Sequence, residues 1–226
     1  MTEQEWLRIT DPDDLMRKTI RTKGLGNDRQ FRLMGIACCR RIWHLLDEKL
    51  RNAIELAENY LENIATAAEM DACLDSLQGR YPYGSTVRLC CYPTHRIKAL
   101  SVDAVCTARA AAVNDLLKQE AGKDVPTDRS RVMTLYKEEK EQQMVLFRDI
   151  FGNPFQPIQL ERTRLTPTIM AIAQTNYSEH QFEGMPILAD ALEEAGCTNE
   201  DILDHCRNNQ EHARGCWVLD LLLEKK

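Results

Sequence analysis

Three observations predict an all-α fold for this chain. Apolar residues recur at three- and four-residue intervals through most of it, side chains suited to helix N-caps precede those runs, and the connections between runs are short enough to make neighbouring helices antiparallel. The expected architecture is a multi-helix bundle: an N-terminal helical bundle over residues 1–122 and a C-terminal helical unit over 131–226 packed on it. With 226 residues, 43% of them hydrophobic and 28% charged, the chain is long enough for one large domain or two small ones and apolar enough for a packed core.

The elements follow in order. Thr2 and Glu5 stand at capping-box spacing and start a short helix, and Asp11-Pro12 supplies an N-cap and an N1 proline for a second, which Gly24 and Gly26 end. Asn27-Asp28 starts a longer helix to about Leu46, whose buried stripe is Phe31, Met34, Cys38, Ile42 and Leu45. Asp47 caps the next, with Leu50, Ile54, Ala57, Leu61 and Ile64 on one face, and Thr66 with Glu69 starts another that ends near Gly79. Gly79, Pro82, Gly84 and Pro93 interrupt the pattern, so 79–100 reads as a structured loop in which Thr86 to Tyr92 can be extended. A helix resumes from about Ser101 to Glu120. The polar 123–130 connection marks a subdomain boundary, and a helix from about Arg131 to Phe151 follows, polar on every face through Lys137–Gln143 like a spacer that projects or bridges between packed bodies. Asn153-Pro-Phe-Gln-Pro-Ile lies extended. Thr166-Pro167 and Pro186 start further helices, Gly196 ends one, Thr198 caps a short one to Cys206, and an apolar helix from about Ala213 closes the chain and should be buried.

The formal net charge of −6 argues against general affinity for nucleic acid or anionic membrane. No basic start with an apolar run marks a signal peptide, and no apolar stretch is long enough to span a bilayer, so a cytoplasmic location is expected. Nine cysteines, an odd number, fit reduced thiols in such a compartment, most of them serving as small core hydrophobes. Basic residues gather early, at Arg17, Lys18, Arg21, Lys23, Arg29, Arg32, Arg40 and Arg41, and read as solvated helix faces.

The opening Thr2-Glu-Gln-Glu-Trp-Leu, the run Cys38-Cys-Arg-Arg-Ile-Trp-His-Leu-Leu, the segment Arg148-Asp-Ile-Phe-Gly-Asn-Pro-Phe and the tail Pro186–Leu223 resemble an uncharacterised family of planctomycete bacterial proteins. The resemblance covers both ends and the Asn-Pro-Phe segment and fades between about Gly79 and Gln143. It implies a bacterial cytosolic origin and supplies no catalytic residue.

Gly24-Leu-Gly26 lacks the third glycine and the preceding strand of a dinucleotide-binding turn, and no Walker loop, Gly-x-Ser-x-Gly elbow, His-Glu-x-x-His pair or EF-hand loop is present. Asp13-Asp14 sits where a helix N-terminus favours negative charge. Cysteine with histidine remains, since thiolates and imidazoles suit zinc and a Cys–His pair can make a nucleophile and base. Cys38 and Cys39 precede His44 on one helix and point about 100° apart, which favours core packing. Cys90 and Cys91 precede His95, with nothing marking further ligands. The tail is sharpest: Cys197, His205, Cys206, His212 and Cys216 lie near the joints of short helices that can bring them together.

The favoured reading is a noncatalytic interaction or adaptor module that binds another protein, with Arg17, Lys18 and Arg21 as the binding residues and no cofactor. The alternatives, in order, are a zinc-stabilised helical protein using Cys197, His205, Cys206, His212 and Cys216, an enzyme with a Cys–His site, and a nucleic-acid binder using the basic N-terminal helices.

Overall fold

The helices at the start of the chain begin at side chains that satisfy the free N–H groups of a first helical turn. The computed structural model describes residues 1–77, 83–92, 97–121, 128–208 and 210–225. In it α1 (Glu3–Arg8) starts at Thr2, α2 (Pro12–Arg21) at Asp11, α3 (Asp28–Arg41) at Asn27, α4 (Glu48–Leu61) at Asp47 and α5 (Ala67–Ser76) at Thr66, each cap accepting from backbone two or three residues on. Then come α6 (Gly84–Cys91), α7 (Ile97–Glu120), α8 (Arg129–Phe151), α9 (Pro167–Ser178), α10 (Met185–Glu194), α11 (Glu200–Arg207) and α12 (Trp217–Leu223). Every regular element among the described residues is helical, and none of these helices is long and apolar enough to cross a membrane.

The chain forms two compact units, Met1–Met144 and Val145–Lys226, and the division falls inside α8. The sequence places it at 123–130, of which 123–127 lie outside the described residues. In the N-terminal unit α3 runs along α7, and α6 sits against α4 and α7. Gly35 allows this approach, because a Cβ there would stand 3.1 Å from Cys90 Sγ and 3.4 Å from Ala104 Cβ. Part of the segment read as a structured loop, able to be extended from Thr86 to Tyr92, is instead the helix α6: Val87, Cys90 and Cys91 share a face and are buried. Tertiary burial decides its conformation over the surrounding breakers.

Two more expectations change in the N-terminal unit. The polar middle of α8 does not project, since Glu139 is buried in a bidentate pair with Arg41 and Gln143 is buried between Arg109 and the Val105 carbonyl; the helix runs from one unit into the other, as the bridging reading expects. Nor do all the early basic residues form solvated faces. Arg32 is buried and donates to the Cys90 and Tyr92 carbonyls, and Arg40 pairs with the buried Glu58. Helix α3 stops at Arg41, earlier than expected, and a 3-10 turn, Trp43–Leu45, follows. Ile64 lies past the end of α4 and is 73% exposed, off the stripe predicted to bury it.

In the C-terminal unit α10 packs against both α9 and α11, and α12 packs on α9. Their shared core holds Ile169, Tyr177, Leu188, Leu192, Ile202, Val218, Leu219 and Leu222, with Ile158 and Leu160 of the nonhelical 153–160 stretch packed against it. Asn199, not Thr198, caps α11 by accepting from the Ile202 N–H at 3.1 Å. Helix α12 begins at Trp217 because Gly215, at φ +93°, takes the chain through a turn closed by the Cys216 N–H on the Ala213 carbonyl.

Candidate metal centre

Three separate stretches of the C-terminal unit bring side chains to one buried point. Asp149 comes from the last turns of α8, His205 from α11, and His212 and Cys216 from the turn before α12. The turn is set by Gly215. Gly152, at φ +57°, ends α8 where Trp217 lies so close that a Cβ would stand 3.0 Å from its ring.

One carboxylate oxygen, two imidazole nitrogens and one sulfur all lie within 4.8 Å of one another. Asp149 is completely buried. Its Oδ1 is 2.6 Å from His212 Nδ1 and 3.1 Å from His205 Nε2, and its Oδ2 accepts from the Ala213 N–H at 2.9 Å. His205 Nε2 is also 3.1 Å from Cys216 Sγ. On the far side of that ring, Nδ1 accepts from the Trp217 indole N–H at 3.1 Å, and the Gln210 amide lies 3.3 Å away. His212 Nε2 is buried with no hydrogen-bond partner among the described residues.

Burial pushes the Asp149 carboxyl upward, but the hydrogen bonds from His205 and His212 outweigh it and hold it below its ordinary range. The Cys216 thiol moves the other way: complete burial, with the Asp149 charge beside it, raises it well above the usual thiol range. Without a cation, Cys216 is therefore a neutral thiol and Asp149 a carboxylate.

A catalytic triad asks for an acid on the imidazole nitrogen that does not face the nucleophile. Here the sulfur and the acid face the same nitrogen, and the other accepts from an indole. This is poor geometry for an activated thiol and suitable for four donors around an ion, because zinc takes carboxylate, imidazole and thiolate ligands together.

No family model, no curated protein and no solved structure matches the chain. Its chemistry therefore rests on these contacts alone.

Of the five tail residues proposed from sequence, His205, His212 and Cys216 meet and two stand apart. Cys206 follows His205 on α11 and is turned by the helical step into the apolar core, where burial pushes its thiol up to about 12. Cys197 lies beyond α10 and lines a cleft with Leu160, Arg164, Leu192 and Asn199. Asp149 is the residue sequence reasoning missed, although an acid flanked by the apolar residues Phe147, Ile150 and Phe151 of a helix is itself a signal.

Elsewhere, Cys38 and Cys39 are buried while His44 is exposed against Asp115, so that trio does not converge. His95 lies outside the described residues. Arg17, Lys18 and Arg21 are exposed on the solvent face of α2, with Lys18 3.0 Å from Asp14. Asp13 does more than favour a helix start: it takes a bidentate hydrogen bond from Arg109 at 2.6 and 2.8 Å.

Proposed function

We propose that the chain is a noncatalytic helical module whose C-terminal unit is braced by a zinc ion held by Asp149, His205, His212 and Cys216, and that it works by binding another protein. The observation carrying the metal reading is the completely buried Asp149 carboxylate, whose partners among the described residues are two imidazoles and one backbone N–H. A charge taken out of water needs a partner charge. A divalent cation with one carboxylate and one thiolate is neutral, and metal binding removes the thiol proton that burial otherwise retains.

When bound, zinc supplies cross-linking of α8, α11 and the turn before α12. Four protein donors leave it no open position for a substrate, which supports a structural role. On the interaction side, Arg17, Lys18 and Arg21 form an exposed basic group suited to an acidic protein surface.

One contact favours a second reading, a metal-free clamp. The Trp217 indole can only donate, so His205 Nδ1 is an acceptor and the ring proton sits on Nε2, facing Asp149. A zinc-bound His205 carries its proton on Nδ1 instead and needs an acceptor there, which the Gln210 amide oxygen provides if the side chain turns over.

Metal analysis of chelator-free purified protein separates the two. The zinc reading expects about one zinc per chain, lost together with thermal stability in Cys216→Ser. Metal-free protein in which Cys216→Ser keeps its Tm while Asp149→Asn lowers it would establish the clamp.

A further inference from the structure

On the side of the His205 ring away from the other candidate ligands, two groups face Nδ1: the Trp217 indole N–H at 3.1 Å and the Gln210 amide at 3.3 Å. Nδ1 of a neutral imidazole that carries its proton on Nε2 has one lone pair in the ring plane, which one donor fills. The two neighbours differ in what they can offer. An indole only donates, whereas a primary amide turns over to present either its N–H group or its oxygen. Gln210 therefore suits both tautomers of His205, and Trp217 suits only the one with its proton on Nε2.

A histidine that ligates a metal through one nitrogen keeps its proton on the other and donates it to an acceptor. With His205 serving the site through Nε2, which lies 3.1 Å from both Asp149 Oδ1 and Cys216 Sγ, its Nδ1–H points at the indole N–H. Two donors then face each other across 3.1 Å. A half-turn of the ring exchanges the nitrogens and leaves the conflict in place. Metal ligation by His205 and its hydrogen bond from Trp217 thus exclude each other.

We propose that Trp217 is a switch set by occupancy of this site: when the site fills, the indole leaves His205 and turns its N–H to water, while Gln210 turns its oxygen to the His205 N–H. The inference rests on the zinc reading above. Of the two rings, Trp217 is the one with room to move. It is partly exposed at the first residue of α12 and lies over Gly152, which has no side chain to obstruct it, whereas His205 is buried and held by ligation. Occupancy of a buried site thereby reaches the surface. By linkage, a partner that accepts from the freed indole tightens metal binding by the same factor as the metal tightens the partner's.

A switch of this kind has a signature that a purely structural ion lacks. An ion that only braces the C-terminal unit slows hydrogen exchange throughout it, the indole N–H included. Under the proposal the indole N–H exchanges faster while the backbone amides around it slow. The other two tryptophans serve as internal standards: Trp6 is fully buried, Trp43 lies 4.0 Å below the Arg40 guanidinium, and both belong to the N-terminal unit.

Titrating metal-free, full-length protein with zinc while following the indole N–H signals by heteronuclear NMR tests this, with the metal content of the same samples measured alongside. The expected result, at about one zinc per chain, is that the Trp217 signal shifts and its exchange with water rises at least about tenfold, while the α11 and α12 amides slow and the Trp6 and Trp43 signals stay in place. Stoichiometric zinc with a Trp217 indole that exchanges no faster would overturn the switch and leave the zinc reading standing. A chain that takes up no zinc would overturn both. The titration uses the unmodified chain and does not depend on any variant folding.

Discussion

Asp13 shows how a single side chain in this protein is bound to the pH at which the fold survives. Burial raises its carboxyl, but the Arg109 hydrogen bonds and charge, with Lys140 adding to them, bring it down from an ordinary 3.8 to about 2. A carboxyl depressed in the folded state stabilises that state above its unfolded value and stops doing so as pH falls through the folded value. Stability should therefore decline from about pH 4 to about pH 2. Asp13→Asn should flatten that part of the profile and cost about 1–2 kcal/mol near neutral pH, a figure discounted for partial exposure. Denaturant unfolding of both proteins across that range would check it; parallel profiles would show that the Asp13–Arg109 pair is energetically silent. Asp149 follows the same sign, since its carboxyl is also held low in the fold.

At the scale of elements, the end of α8 and the start of α12 are shaped for each other. Gly152 takes the left-handed conformation that ends α8, and its missing side chain is where the Trp217 ring lies. Gly152→Ala combines backbone strain with a 3.0 Å contact on a ring carbon, and should lower stability by about 1–2 kcal/mol or more. Because Trp217 donates to His205, the same change should perturb the indole environment, visible in near-ultraviolet circular dichroism. An unchanged spectrum and Tm would mean that the ring shifts freely. The buried Val218, Leu219 and Leu222 bear out the expected burial of the terminal apolar helix, although it is seven residues long and starts after Gly215.

For the whole molecule, the division at Met144/Val145 puts all four candidate zinc ligands in the C-terminal unit. A ligand that binds only the folded form stabilises what it binds. Chelation should therefore speed amide exchange in Val145–Lys226, above all in α11 and α12, and leave α3 and α7 as protected as before. Hydrogen exchange resolved by peptide would show this, and equal acceleration in α3 and α7 would mean that the metal stabilises the chain globally or that the chelator acts otherwise.

Much of this protein could be read from local sequence because helices are local objects. Thr2, Asp11, Asn27, Asp47, Thr66 and Thr166 cap helices where their spacing predicts, since a cap bonds to backbone only two or three residues away. The approach of His205, His212 and Cys216 was legible for a similar reason, as all three flank one turn. Asp149 was not, because it lies more than fifty residues earlier and only the packing of α8 and α12 within the C-terminal unit brings it to His212. The helical state of α6, the burial of Glu139 and Gln143, and the separation of Cys206 from its neighbour His205 were likewise decided by tertiary structure. In each case the deciding quantity is which face is removed from water and what charge or hydrogen bond waits there, and a contact between distant segments leaves no periodicity in the sequence of either.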